Sequence, residues 1–365
     1  MFPIRRINIP LTGMRNGGCY KVHPHSFIIA SNGSGRCLFL FASFMILCIT
    51  HSQDTYTIDL VQQRLQQLGY SAFRFNSDEF GTRFRLRYRL TPEGPQYQLQ
   101  CGNQVIDARD IQGVWYRKLW ALQVPPSLDP AYVPAFLKEY QTSLNIFLDA
   151  LDVPWINRLD LDHAVGGNKL LQLSAAQATG LHVPQTLFSN HAEDAIRFYD
   201  DHQGEVVVKL HGALSKTMDG RGDFFPTTRL RKEDVPMLES LSACPMILQE
   251  YIPKDRELRI VYIDGDFYTG SLHAPELTDW RAGNTTLIQW EAFELPTHIE
   301  EKIDEMMRLL GLQFGAIDMI LQPDGEYVFL EVNPQGEWGM LEKYLGFPIA
   351  ATIAEKLVNR ITSES

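Results

Sequence analysis

Two apolar runs joined by a tight turn constrain this chain more than any other feature. They read Gly315-Ala-Ile-Asp318-Met-Ile-Leu321, then Pro323-Asp-Gly325, then Tyr327-Val-Phe-Leu-Glu331-Val-Asn333-Pro334. Short apolar runs bounded by Pro, Asp and Gly read as the strands of one antiparallel hairpin. Residues i and i+2 of a strand share a face. Glu331 and Asn333 therefore project together, and Val328, Leu330 and Val332 take the other face, toward the core. If a four-residue loop, Pro323 to Glu326, closes the hairpin, Asp318 falls directly opposite Glu331. Two carboxylates and an amide oxygen then converge, and hard oxygen donors of this kind suit Mg²⁺. The plain alternative is a hairpin with exposed acids. It is disfavoured because both acids interrupt strongly apolar strands, where an unpaired charge is costly.

Two lysines strengthen this reading. Lys209 ends the apolar strand Val206-Val-Val208, and Lys169 opens a helix after Gly166-Gly-Asn168. Each alone is more often a solvated side chain, but a lysine at a strand end can reach a nucleotide phosphate as a point charge. The run Leu248-Gln249-Glu250-Tyr251-Ile252 passes from a strand into a linker, whose backbone can face an adenine edge. Glu257 is placed to accept ribose hydroxyls. Arg259 interrupts a strand rich in Ile and Val, which points it into a cleft and toward an anion; a weak surface pair with Glu257 is the other reading.

Composition narrows the partners. The chain has 365 residues and a net charge of −11. Nucleic-acid binders usually present a basic surface, so neither a nucleic-acid partner nor a membrane partner is expected. The five cysteines, Cys19, Cys37, Cys48, Cys101 and Cys244, are odd in number and form no C-x-x-C pair. That fits a reducing, cytoplasmic setting better than a disulfide framework or a zinc site.

The chain reads as lobes of α/β and α+β character. Residues 1–44 show no periodicity and are expected to be a non-native or disordered extension. The short apolar run Cys37 to Ile49 leaves a signal-peptide reading open. Met45–Thr50, a helix with Ile58, Val61, Leu65 and Leu68 on one face, and Ser71–Phe75 form a β-α-β opening. They begin an N-terminal α/β domain over residues 45–156, with further strands at Phe84–Leu90 and Val114–Lys118, a helix from Pro134 to Ala150, and a linker at Pro154. A central lobe is expected over 157–246, with one helix from His163 to Thr179. A C-terminal lobe over 247–365 follows, with an Asp264-Gly265 hairpin turn, a Thr297/Glu300 capping box and a helix buried through Ile299, Ile303, Met306, Met307 and Leu310.

Lys169, Lys209, Gln249 to Ile252, Glu257, Arg259, Asp318, Glu331 and Asn333 stand in the order found in the ATP-grasp superfamily. Within it, the sequence resembles the microviridin-type peptide cyclases, the graspetide synthetases. Thr50-His-Ser-Gln-Asp54, Val114-Trp-Tyr-Arg117, Asp279-Trp-Arg281 and Glu331-Val-Asn-Pro-Gln-Gly-Glu-Trp338 carry the closer likeness, and Glu337 to Glu342 looks more like the amide-forming branch. The resemblance implies an ATP-grasp fold behind a pre-ATP-grasp domain, with ATP and Mg²⁺ as cofactors. It implies Mg²⁺ on Asp318, Glu331 and Asn333, nucleotide on Lys169 and Lys209, and Arg259 with Lys209 at the reacting phosphate. The expected reaction activates Asp or Glu side chains of a ribosomal precursor peptide as acyl phosphates and joins them to Lys, Ser or Thr side chains. Asp219, Asp223 and Arg281 are the candidate contacts to leader or substrate. A ligase for a free amino acid or small peptide, and a non-catalytic nucleotide-binding regulator, are the alternatives. The oligomeric state is open, a homodimer included.

Overall fold

The computed structural model describes residues 45–211, 226–273, 278 and 289–363, together with the backbone of two short strands, Phe27–Ser31 and Cys37–Phe41. Those two strands pair antiparallel with each other and, among the described residues, with no other strand.

The N-terminal domain is built on a parallel sheet. Its strands lie in the order Ser71–Asn76, Met45–Thr50, Ile111–Tyr116, Trp155–Ile156. The segment after Pro154 is therefore the fourth strand of this sheet rather than a free linker: the Pro154 carbonyl accepts from Val114 N–H at 2.9 Å. The helix Thr57–Gln67 covers one face and stops at Gly69 (φ +90°). It shares a core with the C-terminal helix Ile349–Ser363, whose Ile353 and Leu357 pack with Ile58, Val61 and Leu65. The other face holds the helix Val133–Asp149 and a three-stranded antiparallel sheet, Phe84–Thr91, Gly94–Cys101 and Gln104–Asp107.

The middle of the chain corrects two expected boundaries. The single helix expected from His163 to Thr179 is two helices, Leu159–Gly166 and Lys169–Ala178. Gly167 closes the first, and the Asn168 side chain caps the second by accepting from Leu171 N–H at 3.0 Å. An Asn with non-helical backbone at that point stops one helix and starts the next. The strand Met246–Glu250 lies between Thr186–Ser189 and Val206–Lys209 in the central antiparallel sheet. The central lobe thus continues to Glu250, past the boundary expected at 246, because this strand finds its ladder partners there.

The C-terminal sheet has five antiparallel strands in the order Glu291–Ala292, Asp266–Leu272, Arg256–Ile263, Phe314–Leu321, Tyr327–Asn333. Asp264 and Gly265, both at positive φ, make the turn between the second and third of these. Behind the sheet, Ile299, Ile303, Met306 and Met307 of the helix Thr297–Leu309 are buried with Leu173 and Ala176 of the Lys169–Ala178 helix. The expected capping box is absent. Pro296 takes the cap position, its carbonyl accepts from Ile299 and Glu300 N–H, and Thr297 lies inside the helix.

Candidate active site

The site is a row across three strands. Arg259 lies beside Asp318, and Asp318 beside Glu331, in the ladder. Arg259 Nη1 donates to Asp318 Oδ1 at 2.8 Å, Lys169 Nζ to Glu331 Oε2 at 2.7 Å, and Asn333 Nδ2 to Glu331 Oε1 at 3.1 Å. Asp318, Glu331, Asn333, Arg259 and Lys169 therefore do converge.

The hairpin reaches this register by a different route from the one expected. Leu321 pairs with Tyr327, so the loop has five residues, Gln322 to Glu326, not four. Met319 pairs with Phe329 and Asp318 with Glu331, which leaves Leu330 as an extra residue in the strand. This bulge offsets the longer loop. It also shifts the faces: Phe329 and Val332 enter the core behind the sheet, while Val328 packs with Ile252 and Ile320, with Leu330 against them, on the opposite side. The shared core face expected for Val328, Leu330 and Val332 is thus corrected, because one added residue inverts the alternation on one side of it.

Burial pushes the Glu331 carboxyl up, but Lys169 and Lys209, with hydrogen bonds from Lys169 and Asn333, outweigh it and hold the group well below the usual carboxylate range. Glu331 is therefore an anion at neutral pH. Lys209 comes from the end of the Val206–Lys209 strand in the central sheet, and Lys169 from the first turn of its helix. Together they line a cleft between the two sheets with Phe188, Ile247, Gln249 and Glu331. Its lining combines two ammonium groups with apolar side chains, a mixture that suits a nucleotide's phosphates and base.

The linker residues take distinct places. The Gln249 side chain is buried and donates to Thr186 Oγ1 at 2.8 Å. Glu250 accepts from Gln185 N–H at 3.1 Å, and the Tyr251 ring lies 4.4 Å from the Arg229 guanidinium. Ile252 forms the small apolar cluster with Ile320 and Val328. Glu257 is ion-paired with the buried Lys254, so a ribose contact would have to share or replace that lysine. Asp219, Asp223 and Arg281 lie outside the described residues.

Sequence reasoning gave no role to the residues that lock the two domains. Arg117 Nη2 donates to Glu337 Oε2 at 2.5 Å and Nη1 to the Gln335 carbonyl at 2.9 Å, and Lys118 Nζ meets Glu337 Oε1 at 3.2 Å. Burial raises the Glu337 carboxyl, yet Arg117 and Lys118 prevail and bring it down to about 2. The Glu337 carbonyl in turn accepts from Arg259 Nη2 at 3.0 Å. Buried Asn157 ties Gln313 and Phe314 N–H to the Phe314 and Pro334 carbonyls, and buried Gln172 accepts from Val332 N–H at 3.0 Å. The sequence signals were an Arg-Lys pair at the carboxyl end of an apolar strand and the presence of Arg117, Gln335 and Glu337 in the stretches that carry the family likeness.

Cationic cleft, acidic hairpin and bracing arginine on this pair of sheets define an ATP-grasp ligase. The chain belongs to that family: residues 167–357 match the RimK-like ATP-grasp domain, and residues 45–163 the MvdD pre-ATP-grasp domain. Among solved structures it is similar to macrocyclase MdnB of Microcystis aeruginosa MRC, with 38% identity and a TM-score of 0.76 over 86% of this chain and 99% of that one. Macrocyclase MdnC of the same organism, bound with precursor peptide MdnA, is 33% identical with a TM-score of 0.78 over 87% and 100% of the two chains. A RiPP-associated ATP-grasp ligase of Chryseobacterium gregarium, in complex with ADP and a leader and core peptide, is 30% identical with a TM-score of 0.80 over 87% and 97%. The glutamate–LysW ligase ArgX of Sulfurisphaera tokodaii is 26% identical over 59% of this chain and 74% of its own length. Among the described residues, no helix is long and apolar enough to cross a membrane.

Proposed function

We propose that this enzyme macrocyclises a ribosomal precursor peptide, using ATP to activate Asp or Glu side chains and joining them to Lys as amides or to Ser or Thr as esters. The observation that carries the reading is the row Arg259–Asp318–Glu331, faced by Lys169 and Lys209 from outside the hairpin. The likeness to two macrocyclases and to a peptide-bound ligase over most of the chain supports the substrate class.

A carboxylate is a poor electrophile. Its oxygen attacks the γ-phosphorus of ATP, ADP leaves, and the acyl phosphate can then be attacked by an amine or hydroxyl, with phosphate as the second leaving group. Such a transfer needs positioning and charge neutralisation more than covalent help. Lys169 and Lys209 hold the nucleotide phosphates. Arg259, fixed by Asp318 and the Glu337 carbonyl, holds the reacting phosphoryl group. The donor set Asp318, Glu331 and Asn333 is all oxygen, without thiolate or imidazole, and fits Mg²⁺. These residues would hold the ion, whose charge would offset that of the phosphates, and Glu331 would be shared between it and Lys169.

The test is incubation with ATP, Mg²⁺ and a leader-plus-core peptide encoded beside this chain's gene. The expected result is ADP and the loss of one water mass per linkage. ADP formed with free glutamate or a small peptide, and no mass change in the precursor, would overturn the reading in favour of a small-substrate ligase.

A further inference from the structure

The joint between the two domains holds a cation that the steps above do not use. The Ile111–Tyr116 strand ends at the carboxyl edge of the parallel sheet, and Arg117 and Lys118 follow it. The strand that precedes it within this sheet, Ser71–Asn76, lies on the other side of Met45–Thr50. Strand order therefore reverses between Met45–Thr50 and Ile111–Tyr116. Open α/β sheets bind ligands in the crevice outside the carboxyl ends at such a reversal.

The two basic residues there are not equivalent. The Arg117 side chain is 3% exposed and fully engaged, with Nη2 on Glu337, Nη1 on the Gln335 carbonyl and Nε on Thr57 Oγ1 at 3.3 Å. The Lys118 side chain is 30% exposed, and among the described residues its ammonium donates to Glu337 Oε1 at 3.2 Å. Two positive charges thus meet the Glu337 carboxylate, and Arg117 also faces the largely buried Asp54 carboxylate at 3.9 Å, which Thr50 and Thr57 hydroxyls already satisfy. Lys118 can turn toward a ligand without stranding Glu337, because Arg117 stays on the half-buried carboxylate at 2.5 Å. The Glu337 carbonyl accepts from Arg259, which is bonded to Asp318. Lys118, the more exposed of the two cations, therefore stands one residue away from the reacting row, on a flexible four-carbon stem.

We infer that Lys118 binds the substrate carboxylate that is to be phosphorylated, so that the N-terminal domain supplies one wall of the acceptor subsite. This rests on the peptide-ligase reading above. It gives the domain a part in recognising the acid as well as in supporting the ATP-grasp lobes. A lysine that served only to join the domains would stabilise Glu337 whatever the peptide carried.

The experiment compares two leader-plus-core peptides by fluorescence anisotropy, one with its core Asp and Glu residues and one with Asn and Gln in their place. The wild-type protein should prefer the acidic peptide by about tenfold, the ordinary worth of one charge-assisted hydrogen bond. Lys118→Met should lose that preference, and Lys118→Arg should keep most of it. An undiminished preference in Lys118→Met overturns the inference. So does an equal loss of affinity for both peptides, which marks a purely structural lysine. A wild-type protein that binds neither peptide overturns the peptide-ligase reading and this inference with it, a result distinct from the other two.

Discussion

Asp318 and Glu331 face each other across the hairpin because two irregularities cancel: a loop of five residues, and a bulge at Leu330 that restores the pairing. On the same strand, Glu331 lies 2.7 Å from Lys169. Glu331→Gln keeps the shape and removes the charge that would hold a metal. It should lower peptide-dependent ADP formation by at least about a hundredfold, more than loss of an outer-shell partner costs. Asp318→Asn and Asn333→Ala should act in the same direction, with unchanged circular dichroism. Near-wild-type turnover by Glu331→Gln would remove the metal assignment.

Glu337 gives a prediction in pH. Its carboxyl is held down to about 2, against burial, by Arg117 and Lys118. A depressed carboxylate contributes stability that is present above its unfolded pKa, about 4.3, and lost as the pH falls through the folded value. Glu337→Gln removes the nearer of two carboxylates facing the buried Arg117, which keeps Gln335, Thr57 and, at 3.9 Å, Asp54. The cost at pH 7 should be about 2 kcal/mol, below the range for breaking a fully buried pair, because the Glu337 side chain is half-buried and Arg117 keeps Asp54 nearby. The gap in Tm between variant and wild type should narrow between about pH 4.3 and pH 2. A gap that is constant over that range would show that Glu337 contributes packing rather than charge.

The hairpin, the lysines and the buried face of the Thr297–Leu309 helix were legible because local pattern governs them. Asp318 opposite Glu331 was also legible, but by compensation: the loop was counted one residue short and the bulge was not foreseen. A bulge leaves no mark in an apolar run such as Val-Phe-Leu, where every residue suits either face. The locking contacts were not legible. Arg117 with Glu337, and Asn157 with Phe314 and Pro334, join residues more than 150 positions apart, and nothing in the local sequence specifies such pairs. The same holds for the Met246–Glu250 strand, which reads as a strand locally and is assigned to its sheet by distant partners.

Arg259 is fixed at three points: Asp318 through Nη1, and the Glu337 carbonyl through Nη2 and Nε. A group held this firmly is prepared for charge that grows in the transition state, where binding accelerates chemistry. Arg259→Ala should slow single-turnover phosphoryl transfer by about a hundred- to a thousandfold. ATP affinity by calorimetry should fall by less than about tenfold. Arg259→Lys should recover little, since an ammonium cannot reproduce the planar fork. A large loss of affinity with unchanged single-turnover rate would assign Arg259 to nucleotide binding instead.

Gly336 follows the acidic strand at the point where three parts of the site come closest. A Cβ built there would lie 2.2 Å from Ala316 Cβ, 3.0 Å from Arg259 Nη2 and 3.1 Å from the Asn333 carbonyl. The first is a clash with a short side chain on a central strand, which has no freedom to turn away. Gly336→Ala should therefore push the Asn333–Glu337 turn off the sheet. The expected cost is about 1–3 kcal/mol, typical of overpacking a well-filled site. The turn carries the Glu337 carbonyl that holds Arg259 and follows directly from Asn333, so activity should fall by more than stability alone explains. Ala316→Gly removes the atom that Gly336→Ala would strike, at the cost of a glycine in a strand interior. The double variant Ala316→Gly/Gly336→Ala should recover a measurable part of the lost peptide-dependent ADP formation, and failure to recover any would place the defect elsewhere than in this contact.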